Sequence, residues 1–192
     1  MISIDCEMTG LDPENCSIVS FGAVDLNNPE RRLYVEMRPF DGAKIEDEGL
    51  SINGFSREQI NNFDLSQKEA LEKIKEFLDG SDERNVVGQN VIMDVLFLNK
   101  AFIREGVDCK IPYRTLDTHS MICAKLLLNK EKVPTEERKS TLNLDALLNM
   151  AGIPDEPEPH NALNGALSAA EVYFRLIEGR EVLPEFKDFK FL

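Results

Sequence analysis

The feature that most constrains this chain is a pair of acids inside its first apolar segment. Residues 2–8 are rich in Ile, Cys and Met, which predicts a buried β-strand, and Asp5 and Glu7 interrupt that segment. Because side chains alternate along a strand, both carboxylates point to one face and Cys6 to the other. Two neighbouring carboxylates repel each other unless a cation lies between them. The pair therefore either lies in solvent at a strand end or holds a hard divalent ion such as Mg²⁺ or Mn²⁺.

The hydrophobic pattern predicts an α/β fold with a mixed sheet. Three early segments rich in Ile, Val, Phe and Tyr, separated by Asn, Pro and Gly, favour an antiparallel meander. Alternating helices and short strands follow, which implies helices packed against the sheet. The predicted strands are residues 2–8, 17–26, 32–38, 85–88 and 115–117, and the predicted helices are the segment from Ser66 to Gly80 and residues 91–104, 119–129, 142–151 and 162–178.

Helix-end residues support these boundaries. Ser66 followed by Glu69 has the spacing of a capping box, and Gly106, Gly152 and Gly179 lie where helices end. Val95, Leu98 and Phe102 are predicted on the inner side of their helix. The polar segment 130–139, which contains Pro134, is expected to be a mobile loop.

The length and composition predict one domain over residues 1–192. The chain is 42% hydrophobic, which is enough for a core, and it contains no apolar run of about 18 residues that would span a membrane. The start MISIDCEMTG lacks the features of a signal peptide, so a cytoplasmic location is expected. The four cysteines lack metal-binding spacing and are expected to be reduced and mostly buried.

The charge distribution argues against a broad basic face for nucleic acid. The formal net charge is −13 and the pI is about 4.6. Residues 100–139 nevertheless carry nine basic side chains against six acidic ones. These basic side chains form either a solvated helix face or an electrostatic track for a phosphate backbone.

A series of motifs in chain order resembles the DEDDh branch of the DnaQ-like exonucleases. Asp5-Cys6-Glu7, with Thr9-Gly10-Leu11 close behind, is similar to the first motif of that family. The resemblance continues over nearly the whole chain, through residues 18–24, 50–55, 87–94, 116–118 and 159–163. It implies a ribonuclease H-like fold with a five-stranded mixed sheet, and it places a turn before a short helix at residues 50–55.

The resemblance also implies a metal-dependent 3′-to-5′ exonuclease that releases nucleoside 5′-monophosphates from DNA or RNA 3′ ends. Two Mg²⁺ or Mn²⁺ ions would be held by Asp5, Glu7 and Asp94, and His160 would act as general base. The substrate would be a single-stranded or frayed 3′ end. Its terminal nucleotide would be bound by a set of residues around the first motif: Met8, Thr9, Gly10, Leu11 and Asn53.

The residue patterns alone leave other roles open for these side chains. An Asp in the first turn of a helix, such as Asp94, can simply favour the helix dipole. His160 can be a capping or surface histidine, and His119 can be a hydrogen-bonded core residue beside Asp117. The resemblance favours the catalytic role for His160.

One departure from the family pattern bears directly on activity. The last motif of the family has an Asp five residues after its histidine, where this chain has Gly165. Glu171 lies six residues further along the helix, about 240° around it, and cannot take that place. We therefore expect weakened metal binding and weakened activity. A non-cutting module that binds a nucleotide or nucleic-acid end, and a protein-interaction domain, are the alternatives.

Overall fold

The computed structural model describes residues 1–190 and centres on a five-stranded mixed sheet. Its strands are β1 (Ile2–Met8), β2 (Ile18–Asp25), β3 (Asn28–Glu36), β4 (Val86–Gly88) and β5 (Leu116–Asp117). The strand order is β3-β2-β1-β4-β5. The first three strands pair antiparallel, whereas β4 runs parallel to both β1 and β5. The predicted sheet, three antiparallel strands followed by two parallel ones, is confirmed.

Helices cover both faces of this sheet. They are α1 (Asp47–Asn53), α2 (Arg57–Asn61), α3 (Gln67–Asp79), α4 (Ile92–Glu105), α5 (Thr118–Leu128), α6 (Leu144–Met150) and α7 (Ala162–Val172). The capping box of Ser66 and Glu69 begins α3 as predicted, and Gly106 ends α4 with a left-handed φ of 66°. A π-helical turn, Tyr173–Glu178, extends α7 to Gly179. Among residues 1–190, no helix is both long and apolar enough to cross a membrane.

The sheet separates two apolar cores. Side chains from one face of β1, including Cys6, pack with α3 and α4, where Val95, Leu98 and Phe102 are fully buried as predicted. The opposite face packs against α7 and the chain that follows it. The Ser3 hydroxyl donates to the Ala166 carbonyl of α7 at 2.7 Å, which fixes this helix along β1. Asp5 and Glu7 share the face of Ser3.

The close approach of α7 to the sheet depends on Gly22. This residue lies on β2 directly opposite Asp5, and a Cβ atom added to it would overlap the backbone of Ala162 and Leu163. Only glycine permits a helix start at this distance from the strand. Gly22 therefore sets the depth at which the first turn of α7 lies beside Asp5.

A buried ion pair anchors the chain that follows α7. Arg175 and Glu171 are both fully buried, and the Arg175 Nε donates to Glu171 Oε1 at 2.8 Å. Arg175 also donates to the carbonyls of Ala151 and Phe186, while Glu171 accepts from the backbone N–H of Leu183 at 2.9 Å. These hydrogen bonds satisfy both buried charges and hold residues 180–190 against the helix.

Several elements differ from the sequence-based expectations. Residues 50–53 are not a turn but the last turn of α1, and only residues 54–56 connect it to α2. The segment 130–139, expected to be a mobile loop, contributes to a short hairpin of β6 (Thr135–Glu136) and β7 (Lys139–Ser140). The four cysteines are free as predicted, but only Cys6 and Cys16 are buried, so the expectation of mostly buried thiols is half right.

Candidate active site

Asp5 and Glu7 lie near the carboxyl end of β1, on the face covered by α7. Both line a cleft of about 300 Å³, as the alternation of side chains along the strand predicts. Glu7 is 8% exposed, whereas Asp5 is more open to solvent. Burial raises the pKa of both carboxyls, and repulsion from Asp94 raises that of Asp5 further. A cation in the cleft would relieve this cost.

Asp94 approaches β1 from the opposite face of the sheet. It lies in the first turn of α4 and is only 4% exposed, so it is more than a surface residue that favours the helix dipole. Burial raises the pKa of Asp94 to about 7, although hydrogen bonds from the backbone and from the Cys6 thiol lower it. Asp94 does not line the 300 Å³ cleft and lies behind Cys6, which does.

His160 lies at the start of α7 and lines the same cleft as Asp5 and Glu7. The capping role is taken by Asn161, whose side chain accepts from the backbone N–H groups of Leu163 and Asn164. The backbone N–H of His160 donates to the Ile52 carbonyl at 3.4 Å, which ties this loop to α1. The His160 imidazole therefore does not cap α7, and it lines a cleft whose other side chains include several carboxylates.

His119 is placed away from this cleft. It lies on α5, and its Nε2 is 3.6 Å from the Cys123 sulfur one helical turn later. Asp117, its neighbour in sequence, caps the same helix by accepting from the Ser120 N–H. His119 is half-buried and contacts Cys123, so the interpretation as a hydrogen-bonded core residue beside Asp117 is wrong.

Sequence reasoning missed Glu156, which lines the cleft with Asp5, Glu7 and His160. Burial raises the pKa of Glu156 to about 7, and repulsion from Glu7 and Asp145 adds to this, whereas His160 lowers it. Its Oε1 atom is buried and makes no hydrogen bond. Glu156 precedes His160 in a Pro-rich segment whose sequence is typical of a solvated loop. Its proximity to the cleft is therefore visible only in the folded structure.

A second pocket of about 210 Å³ adjoins the acidic cleft and shares Cys6 and Glu7 with it. Three of the residues expected around the terminal nucleotide line it, together with Ile52, Glu46 and Glu48: these are Met8, Gly10 and Leu11. Leu11 is 80% exposed and Ile52 53%, so apolar surface faces the solvent beside the carboxylates. This arrangement suits a ligand with a flat apolar part and a charged part.

Thr9 and Asn53 shape this pocket from behind. The Thr9 hydroxyl donates to the Lys44 carbonyl and accepts from the Ser17 N–H, and the side chain is fully buried. Asn53 donates to the Met8 carbonyl at 3.3 Å and accepts from the Phe55 N–H at 3.1 Å. Both side chains therefore fix the backbone of the pocket and do not line it.

Comparison with known proteins shows the family to which this chain belongs. The RNase_T family model, which describes an exonuclease, matches residues 2–173. The chain belongs to this exonuclease family. Ribonuclease T from Yersinia enterocolitica is 25% identical over 192 aligned residues, which cover 92% of this chain and 83% of that protein. The DnaQ-like resemblance seen in the motifs is thereby confirmed.

Other exonuclease relatives are much longer than this chain. It is 27% identical to the PolC-type DNA polymerase III of Thermotoga maritima, of which it spans 12%. Exonuclease I from Methylocaldum szegediense has the same fold, with a TM-score of 0.74 and 21% identity over 93% of this chain and 41% of that one. E. coli exonuclease I, described in complex with single-stranded DNA and zinc, gives a TM-score of 0.73 at 16% identity. The chain thus corresponds to one part of these proteins.

The departure at Gly165 lies directly against Asp5 of the first motif. Gly165 is buried in α7, and a Cβ atom added to it would be 2.9 Å from the Asp5 Cγ. The position therefore faces the carboxylate cluster, but this chain places no side chain there. Glu171 is held by Arg175 and the backbone of residues 182–183, so it does not replace the missing acid, as predicted.

The side chains of the acidic cleft are of the kind that binds a hard divalent cation, but they are not preformed to bind one. Among residues 1–190, no group of three or more His, Cys, Asp or Glu side chains is arranged to hold a metal ion. Asp5 is turned toward Gly165 and Asp94 toward Cys6. The cleft is lined by carboxylates without a Lys or Arg, and one buried carboxylate oxygen is unpaired.

Proposed function

We propose that this chain is a metal-dependent 3′-to-5′ exonuclease that releases nucleoside 5′-monophosphates from single-stranded or frayed DNA or RNA ends. The observation that carries the proposal is the convergence of Asp5, Glu7 and His160 on one cleft beside an apolar pocket, in a chain that belongs to an exonuclease family. Divalent ions, Mg²⁺ or Mn²⁺, would supply a polarised water and stabilise the charge that develops on the phosphate.

The carboxylates at the carboxyl end of β1 are proposed to bind the divalent ions. Asp5 and Glu7 line the cleft. Asp94 does not line it, but it accepts a hydrogen bond from Cys6, which lies between Asp5 and Glu7 in the sequence. Their raised pKa values mean that these carboxyls resist full ionisation, so binding of a cation would be linked to loss of protons. We propose Asp5, Glu7 and Asp94 as the metal-binding residues.

His160 is proposed to take the proton of the attacking water. Imidazole has an unperturbed pKa near neutral and can accept a proton and release it again during turnover. His160 lines the cleft together with Glu7 and Glu156, so a water bound there would be close to the imidazole. Loss of the imidazole would remove proton transfer without removing the carboxylates.

The apolar pocket is proposed to bind the terminal nucleoside. Met8, Leu11 and Ile52 offer a surface for the base and sugar, while the scissile phosphate would lie toward Glu7, which both pockets share. The backbone at Gly10 is part of the same wall, and Thr9 and Asn53 hold it in position.

The test is cleavage of 5′-labelled and 3′-labelled single-stranded DNA and RNA in Mn²⁺, Mg²⁺ or EDTA. We expect a ladder that shortens from the 3′ end, requires the divalent ion, and falls by about 10²-fold or more in His160→Ala. His119→Ala is the matched control and should retain activity, since His119 lies outside the cleft. Equal activity of His160→Ala and the unmodified protein would overturn the assigned role.

The alternative function, a binding module that does not cut, is favoured by Gly165. A carboxylate is absent where the Asp5 side chain faces α7, and turnover is expected to be reduced for that reason. Gly165→Asp should raise cleavage at limiting Mg²⁺, provided that Asp5 rotates away from the new side chain. If only Gly165→Asp cuts, while the unmodified protein binds a 3′ end in Mn²⁺, the binding module is the correct function.

A further inference from the structure

The cleft lacks a carboxylate on α7 but contains one on the loop before it. Gly165 leaves the α7 side of Asp5 without an acid, and Glu171 is committed to Arg175. Glu156 reaches the same cleft from the segment between α6 and α7. It therefore faces Asp5 and Glu7 from a part of the chain that the sequence motifs do not include.

The backbone around Glu156 is held in place by α6. The Glu156 N–H donates to Asp145 Oδ1 at 3.1 Å, and Asn149 donates to Asp155 Oδ1 at 2.7 Å. Ile153, at the start of the segment, is buried in the core formed with α5 and α6. Glu156 is thus presented by a fixed loop, and its carboxylate does not extend freely into solvent.

One carboxylate oxygen of Glu156 is buried and has no hydrogen-bond partner. Its Oε1 is buried without a hydrogen-bond donor, although the residue as a whole remains partly exposed. A buried carboxylate oxygen without a partner is costly unless a cation or donor completes it. Asp145 lines the same cleft, but one of its oxygens already accepts from the Glu156 backbone, so Glu156 is the better ligand.

We infer that Glu156 supplies the metal-binding carboxylate that Gly165 does not, so that Asp5, Glu7 and Glu156 together hold a divalent ion in this cleft. The inference rests on the proposed metal-dependent function and names a ligand outside the motifs of the family. A glutamate on a loop can approach the ion from the open side of the cleft, where the family places an acid on the helix. Site assembly would then depend on the contacts between α6 and residues 153–160.

The test is calorimetric titration of MnCl₂ into metal-free protein, with and without thymidine 5′-monophosphate. Glu156→Gln keeps the size of the side chain but removes its charge, and we expect Mn²⁺ affinity to fall by about tenfold or more. Glu158→Gln is the matched control, because Glu158 lies two residues further along the chain. Its side chain is exposed and does not line the acidic cleft. The Mn²⁺ affinity of Glu158→Gln should stay within about twofold of the unmodified protein, because solvent and salt screen an exposed charge.

The outcomes separate the inference from the proposed function. If the unmodified protein binds Mn²⁺ and Glu156→Gln binds it equally well, the inference is wrong and the proposed function stands. If the unmodified protein binds no Mn²⁺ even with the nucleotide, both are wrong. If Glu156→Gln and Glu158→Gln lower the Mn²⁺ affinity equally, the cause is the loss of one negative charge and not of a ligand. That result would also overturn the inference. Thermal unfolding of each metal-free variant checks that the fold is retained.

Discussion

Asp94 brings a carboxylate into a nearly closed space, where its hydrogen-bond donors are backbone N–H groups and the Cys6 thiol. Burial raises its pKa to about 7, so the folded chain holds its proton more tightly than the unfolded chain does. Stability is therefore unaffected by this group below the unfolded pKa near 4, falls as the pH rises toward 7, and stays reduced above it. Asp5 and Glu156 act in the same direction, because their pKa values are also raised.

Asp94→Asn should accordingly stabilise the metal-free protein at pH 8 and have little effect near pH 4. The amide keeps the shape of the side chain but has no charge to desolvate, and the gain should be roughly a few kcal/mol, or several degrees in Tm. Thermal unfolding between pH 4 and pH 8 in EDTA measures it. Asp41→Asn, at an exposed position, should give an unchanged profile. A parallel shift of both variants at every pH would contradict the linkage argument.

Residue-level predictions succeeded where a motif fixed the position and failed where only the folded chain brings groups together. The common orientation of Asp5 and Glu7 follows from strand alternation, and Cys6 between them packs into the core formed with α3 and α4. Glu156 was missed because its proximity depends on the packing of the loop against α6, which no local pattern encodes. The metal-binding and catalytic roles themselves stay predictions.

At the level of elements, long segments with clear periodicity were predicted well. The helices α3 and α4 combine an apolar stripe with capping residues, and their ends fall within a residue or two of the expectation. The helices α1 and α2 have only seven and five residues, too few for a periodic signal. Strand β3 begins earlier than predicted because Pro29 lies on an edge strand, where a missing N–H is tolerated.

The packing of α7 on β2 is the structural relation on which the cleft depends most. Gly22→Ala would force its Cβ against the backbone at Ala162, two residues after His160, and should cost about 1–3 kcal/mol or more. Chemical denaturation measures the loss. Gly80→Ala is the control, since the closest contact of its Cβ would be the end of the Arg31 side chain and not backbone. Equal stability of Gly22→Ala and the unmodified protein would mean that α7 shifts without cost.

The whole molecule is strongly acidic, and the proposed substrate is a polyanion. A net charge of −13 repels a phosphate backbone at long range, so binding must rely on local contacts and bound cations. The basic side chains of residues 100–139 are partly occupied within the chain: Lys100 pairs with Glu14, and Arg104 stacks on Phe40. Lys100 and Arg104 therefore have partners within the chain, and the electrostatic track stays a prediction for the other basic side chains of this segment.

Binding of a single-stranded oligonucleotide should therefore depend on divalent ions far more than on monovalent salt. With His160→Ala to suppress cleavage, we expect no binding in EDTA and measurable binding in Mn²⁺ by fluorescence anisotropy. Between 50 and 200 mM KCl the affinity should change by less than about tenfold, whereas a protein that neutralises many phosphates loses about 10³–10⁵-fold. Tight binding in EDTA that collapses with KCl would point to a basic surface, and the metal-centred mode of substrate capture would then be wrong.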